Sequence, residues 1–137
     1  MKYLVGYDAL HLNNSEQSVG KKALEVACKF AKENNANICI MASLEQRPNM
    51  PKEEVEKVKN HLDELKLLYK FESLSFETLV SVNYFTPGED LVNFAKDNGI
   101  DLLFVGVRNR SKVSKIMFGS NAQHIILNSP CPVVTVR

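Results

Sequence analysis

Five short apolar runs alternate with four segments of helical spacing, and this alternation constrains the fold more than any other sequence feature. Strands joined by single helices favour a parallel sheet with right-handed connections. We therefore expect an α/β fold with a five-stranded parallel sheet and helices on both faces. The predicted strands span residues 2–7, 38–41, 74–82, 100–105 and 131–136.

The helical segments are recognised by apolar residues at helical spacing and by the residues at their ends. The third begins with the capping box 86–89, in which Thr86 caps the helix and Glu89 follows three residues later. Asn98 and Gly99 end it. We place the N-cap of the first helix at Ser15. The predicted helices span residues 15–34, 51–69, 86–98 and about 120–127.

Length and composition indicate one globular domain over residues 1–137, because 45% hydrophobic and 24% charged residues are ordinary proportions for such a domain. The net charge of +1 does not point to nucleic acid. No apolar run reaches the ~20 residues that span a bilayer, and a signal peptide is not recognisable. Three cysteines without a CxxC spacing fit a reducing compartment. We expect a cytoplasmic protein with no membrane or nucleic-acid partner.

A long basic loop follows the fourth strand. Twelve residues separate Gly106 from Gly119, and they include the cations Arg108, Arg110, Lys112 and Lys115. Such loops in small domains are usually functional. The loop leads to Gly119 and Ser120 at the start of a helix, where backbone N–H groups and the helix dipole favour anions. The loop is therefore interpreted as a phosphate cradle. The alternatives are an ordinary helix cap and solvated charges.

Asp8 ends the first strand, and we expect it to face this loop. In open α/β sheets, ligands bind outside the carboxyl ends of strands where the strand order reverses, which commonly places the first and fourth strands side by side. Asp8 could accept a hydrogen bond from a ribose hydroxyl or an adenine amine, or it could close a turn. Gly106 would let the backbone turn steeply and a ligand approach closely.

Catalytic signatures are missing from the sequence. His11, His61 and His124 are scattered, with no ligand spacing that predicts a metal site. We find no Ser/His/Asp set, HExxH motif or Walker loop, and no general base can be named. The sequence favours binding over turnover, with slow ATP hydrolysis as the only enzymatic alternative.

Several motifs resemble the universal stress protein family. Its signature is glycine, two residues, glycine, nine residues, glycine, then serine or threonine. Gly106 and Gly119 with Ser120 match this spacing, whereas Asn109 replaces the second glycine. The segments TPGEDLVNFAKDNGIDLLFVG and SPCPVVTVR are also similar to the family pattern, and the resemblance covers the whole chain.

The resemblance implies a Rossmann-like domain of the adenine nucleotide alpha hydrolase-like type, with strand order 3-2-1-4-5 and a homodimer formed through the last strand. It implies a stress-response regulator that binds ATP or AMP, with or without Mg²⁺. The alternative is a nucleotide-free dimerisation or protein-interaction module of the same fold. The nucleotide-binding residues implied are Tyr7, Asp8, Ser43, Gly106, Arg108, Asn109, Arg110, Gly119, Ser120 and Asn121.

Overall fold

The structure is a computed structural model that describes residues 1–8, 19–69, 73–107 and 119–137. Strands and helices alternate along these parts of the chain, as the sequence predicts. The strands are β1 (Lys2–Gly6), β2 (Asn37–Glu45), β3 (Phe76–Asn83), β4 (Leu102–Gly106) and β5 (Val133–Val136). The helices are α1 (Val19–Asn34), α2 (Lys52–Leu68), α3 (Pro87–Asp97) and α4 (Ser120–Asn128).

The five strands form one parallel sheet with the order β3-β2-β1-β4-β5. This confirms both the parallel sheet and the predicted order. The chain builds the sheet outward from β1 to β3 and then returns to add β4 and β5 on the other side of β1. The reversal therefore lies between β1 and β4, where open α/β sheets bind ligands at the carboxyl ends of the strands.

Two apolar layers cover the two faces of the sheet, which confirms helices on both faces. One layer packs α1 and α2 against the sheet and buries Leu24 and Leu62. The other packs α3 and α4 and includes Ile125. Successive β1 residues enter opposite layers, since Leu4 belongs to the second and Val5 to the first. Both are 0% exposed, as expected for a strand covered on both faces.

Several predicted boundaries were wrong by a few residues. The largest difference is in β2, which continues to Glu45 although the apolar run ends at Met41. Polar Ser43 interrupts the apolar pattern, but its backbone stays in register opposite Ser81 of β3. The fifth strand begins at Val133 rather than at residue 131.

The helix ends show how local sequence sets the start of α3. The Thr86 side chain accepts a hydrogen bond from the Glu89 N–H at 3.3 Å, and Pro87 occupies the first turn, which confirms the predicted cap. The cap predicted at Ser15 lies outside the described residues. No helix in the described ranges is both long and apolar enough to cross a membrane.

Candidate functional site

A cavity of about 580 Å³ opens at the carboxyl ends of β1 and β4, at the strand-order reversal. A volume of this size is typical of small-molecule sites, which lie at ~300–1,000 Å³. The lining joins an apolar floor to a polar rim. It consists of Gly6, Tyr7, Asp8, Ser43, Leu44, Glu45, Gln46, Arg47, Glu54, Pro87, Leu91, Val105, Gly106, Asn121, Ala122 and Ile125.

Five of the ten predicted site residues meet in this lining. They come from four separate elements or their ends, and they are Tyr7, Asp8, Ser43, Gly106 and Asn121. Gly119 and Ser120 lie at the start of α4, next to lining residues of that helix. Arg108, Asn109 and Arg110 fall outside the described residues.

Tyr7 and Asp8 continue β1 into the rim of the cavity. The Tyr7 N–H donates to the Met41 carbonyl at 2.8 Å, so the backbone stays paired with β2 beyond the last strand residue. The Tyr7 side chain is only 5% exposed, and its hydroxyl lies 3.1 Å from Nε2 of His61 in α2. The Tyr7 ring is therefore packed in the core, while the exposed Asp8 places a carboxylate at the rim of the cavity.

The edge of β2 extends past the end of β1 and faces the cavity with its backbone. Met41 points its carbonyl towards β1, because this carbonyl accepts from Tyr7. Backbone groups alternate in direction along a strand, so the N–H and C=O groups of Ser43 and Glu45 point to the same side as those of Met41. Beyond Tyr7 that side is the cavity. The backbone of β2 thus presents N–H donors and C=O acceptors to the crevice.

The Ser43 side chain is turned to a buried partner. Its hydroxyl donates to Oδ2 of Asp90 at 2.5 Å, and the two residues are 9% and 8% exposed. Asp90 lies in the first turn of α3, where a carboxylate is favoured by the helix dipole. The bond fixes the start of α3 to the floor of the crevice, and it leaves recognition at Ser43 to the backbone.

Gly106 is required by the packing of α1. A Cβ atom added at this position would lie 2.5 Å from the carbonyl carbon and oxygen of Val19 and 2.7 Å from its Cβ. These distances are far below an ordinary contact of 3.4 Å or more. The glycine therefore admits the backbone at the start of α1. Gly106 also lines the cavity, and the close approach of a ligand to it stays a prediction.

The starts of α3 and α4 meet at the crevice through Asn121. Its Oδ1 atom accepts a hydrogen bond from the Gly88 N–H at 3.0 Å. A Cβ added to Gly88 would lie 2.9 Å from the Asn121 carbonyl oxygen, so glycine is needed for this approach. Gly119 caps α4 with φ −65°, and no described residue lies within 4 Å of a Cβ added there.

Arg47 and Glu54 form an ion pair at the mouth of the cavity, and sequence reasoning missed both residues. Arg47 follows β2 directly after Gln46, and Glu54 lies in the first turn of α2. The only signal that could have found them is the position of Arg47 just beyond a strand end. Among the described lining residues, Arg47 is the one cation and stands with the carboxylates of Asp8, Glu45 and Glu54.

The described part of the chain contains no group of three or more His, Cys, Asp or Glu side chains placed to hold a metal ion. Burial raises the pKa of the Cys39 thiol to about 11, with a further contribution from the charge of Glu77. Burial and the neighbouring Glu25 carboxylate raise the pKa of Tyr69 to about 12. Cys39 and Tyr69 lie outside the cavity lining, so neither supplies acid or base chemistry there.

Comparison with known proteins agrees with this geometry. The chain is 28% identical to the universal stress protein YxiE of Bacillus subtilis, covering 85% of this chain and 89% of that protein. A universal stress protein from Archaeoglobus fulgidus has a structure with a TM-score of 0.82 and 23% identity, covering 100% and 98% of the two chains. A universal stress protein from the same organism, solved in complex with dAMP, gives a TM-score of 0.78 and 21% identity, again covering 100% and 98%.

The family comparison extends over the full sequence. A sequence model of the universal stress protein family matches residues 1–137. The match includes the strand-order reversal and every element that contributes to the crevice. The chain therefore belongs to the universal stress protein family.

Proposed function

We propose that this protein binds an adenine nucleotide, ATP or AMP, in the crevice at the carboxyl ends of β1 and β4. It acts as a cytoplasmic stress-response regulator and as a homodimer formed through β5. The observation that carries the proposal is the convergence of Asp8, Ser43, Gly106 and Asn121 on one cavity of about 580 Å³. The complex of a related fold with dAMP supports the same ligand class.

The base binds over β2 in this proposal. The N–H and C=O groups of Ser43 and Glu45 that face the cavity can donate to a ring nitrogen of adenine and accept from its amino group. The apolar floor formed by Leu91, Val105 and Ile125 suits the flat face of a purine. A base that carries an oxygen in place of the amino group would bring its acceptor against a backbone carbonyl. The edge of β2 therefore selects adenine.

The ribose and phosphates lie on the β1, β4 and α4 side. The Asp8 carboxylate accepts hydrogen bonds from ribose hydroxyls, and the start of α4 at Gly119 and Ser120 offers backbone N–H groups to phosphate. Arg108, Asn109 and Arg110 complete the phosphate side. With ATP, the Ser120 hydroxyl can also contact Mg²⁺. At the opposite end the Glu45 carboxylate disfavours phosphates, whereas the charge of Glu54 is paired with Arg47. The charge of Glu45 therefore favours one orientation of the nucleotide.

Regulation follows from binding, without a catalytic step. The ligand joins β1, β2, β4 and α4, elements that are distant in sequence, so its presence stabilises one arrangement of the crevice. A partner protein or a second subunit can then distinguish the bound from the empty form. Substrate turnover is not required for this role.

The test is isothermal titration calorimetry with ATP and with AMP, each with and without Mg²⁺. Asp8→Asn removes the charge and replaces one of the two acceptor oxygens with an NH2 donor, and Gly119→Val fills the space above the start of α4, so each should weaken binding at least tenfold. The matched control is Asp97→Asn, which removes an exposed carboxylate at the far end of α3. Equal nucleotide affinity in wild type, Asp8→Asn and Gly119→Val would contradict the proposed site. No binding by wild type would favour the nucleotide-free interaction module.

A further inference from the structure

The outer edge of β3 is the longest unpaired strand edge among the described residues. β3 pairs with β2 in an unbroken register from Ile38↔Phe76 to Glu45↔Asn83, and the sheet order ends with it. The carbonyls of Ser75 and Asn83 point towards β2, because they accept from Ile38 and Gln46. By alternation, the backbone groups of Thr78, Val80 and the other even-numbered residues point outward.

This edge has few of the devices that normally prevent strand pairing. Such devices are lysine or proline in the strand, a bulge, or a very short strand. β3 has eight residues, FETLVSVN, with no proline or basic residue, and its single charge is Glu77. The opposite edge is shorter, because β5 has four residues and lies between Pro132 and Arg137. The two edges of the sheet therefore differ in their capacity to accept another strand.

Two exposed aromatic residues follow β3 and are held in place. Tyr84 is 85% exposed and Phe85 is 50% exposed. The Phe85 N–H donates to Oδ1 of Asn83 at 2.9 Å, and Asn83 in turn donates to Oγ of Ser81 at 2.9 Å. These bonds fix the chain direction at the aromatic pair. An ordered, exposed aromatic pair beside an open strand edge is typical of an interaction surface.

We propose that the edge of β3 pairs antiparallel with β3 of a second copy of this chain, about a two-fold axis at Val80. With the axis at Val80, nearly the full length of β3 is paired. The outward-facing N–H and C=O groups of the even-numbered residues in the two copies then lie opposite each other and form hydrogen-bonded pairs. Thr78 then lies opposite Val82 of the second copy, and Phe76 lies near Tyr84, the residue that follows β3.

The strand is self-complementary in this register. Glu77 lies opposite Asn83 of the second copy, so no like charges meet. The partner's Tyr84 reaches the end of the strand where Phe76 already packs on Tyr69, with ring centroids 6.2 Å apart. Exposed Leu67 and Leu68 end α2 just before Tyr69 and add apolar surface at the same end. Because the contact is two-fold symmetric, each copy contributes the same aromatic and aliphatic side chains to it, one set at each end of the paired strands.

The β3 contact is separate from the proposed β5 contact, because the two strands are opposite edges of one sheet. A chain that uses both edges forms assemblies larger than a dimer. Matched proline substitutions distinguish the two edges. Thr78 and Thr135 both direct their backbone N–H away from the sheet. The odd-numbered residues of β3 bond to β2 and the even-numbered residues of β5 bond to β4, so the alternate residues face outward. Proline is tolerated at such edge positions.

The experiment is sedimentation velocity on wild type, Thr78→Pro, Thr135→Pro and the double variant over a hundredfold range of concentration, with circular dichroism to check folding. The proposal expects Thr78→Pro to reduce the wild-type assembly to a dimer, and to convert the dimer of Thr135→Pro into a monomer. Tyr84→Ser with Phe85→Ser, which alters only exposed side chains, should raise the dissociation constant of the β3 contact at least tenfold. Unchanged masses in folded Thr78→Pro, or a wild type that stays monomeric, would overturn it. Loss of all association in Thr135→Pro alone would also overturn it.

Discussion

Substitution of Gly106 by alanine should destabilise the fold even though it adds a single methyl group. The added Cβ would lie 2.5 Å from the backbone carbon and oxygen of Val19, whereas ordinary carbon contacts begin near ~3.5 Å. The start of α1 must therefore move by about 1 Å. This helix is fixed to the sheet by Ala23, Leu24 and Ala27, each 0% exposed. Overpacking of this kind costs about 3 kcal/mol.

The assay is equilibrium unfolding in urea, followed by far-UV circular dichroism. With a slope of ~1.5–3 kcal/mol per molar urea, a loss of about 3 kcal/mol lowers the midpoint by roughly 1–2 M. The matched control is Gly119→Ala, because no described residue lies within 4 Å of a Cβ added there and φ is −65°. It should cost about 1 kcal/mol or less, because alanine is a weaker N-cap than glycine but meets no packed neighbour. A Gly106→Ala midpoint equal to that of wild type would refute the packing role assigned to this glycine.

Two further changes probe the floor of the site and the β2 strand. Ser43→Ala leaves the buried Asp90 carboxylate without the hydroxyl that donates at 2.5 Å, so it should cost about 1–3 kcal/mol in urea unfolding, and a neutral result would contradict the importance of this bond. Burial, and to a smaller extent the charge of Glu77, raises the pKa of the Cys39 thiol from 9.0 to about 11. Between these two pH values the folded state therefore keeps a proton that the unfolded state loses. Stability should therefore fall between pH 9 and pH 11 in wild type and less steeply in Cys39→Ala, as measured by thermal unfolding, and equal pH slopes would count against the shift.

Local sequence patterns predicted the elements well, because each strand and helix carries its own signal, whereas the full strand order was implied by the family resemblance. The cap at Thr86 is an example, since its partner Glu89 is three residues away. The end of β2 was harder. Ser43 and Glu45 break the apolar run, and their strand conformation depends on pairing with β3, about 38 residues later in the chain.

Long-range contacts in the site could not be predicted in this way. Ser43 and Asp90 are 47 residues apart, and neither position carries a motif that indicates a buried hydrogen bond. Gly106 was correctly selected as a constrained position, but the sequence does not show that Val19 is the neighbour that requires it. Arg47 was missed because the predicted strand ended at Met41, so this cation was not recognised as following a strand end. These features depend on which elements become neighbours after the chain has folded.

The contact between Gly88 and Asn121 has a mechanical consequence. Since Asn121 accepts from the Gly88 N–H at 3.0 Å, and since Gly88 has no side chain to separate the backbones, the starts of α3 and α4 move together. A displacement of α4 must either break this bond or carry α3 with it. α3 begins at Pro87, two residues after the exposed Phe85 that follows β3. We therefore expect an event at the start of α4 to reach the far edge of the sheet through α3, to which Asn121 and the apolar layer link α4.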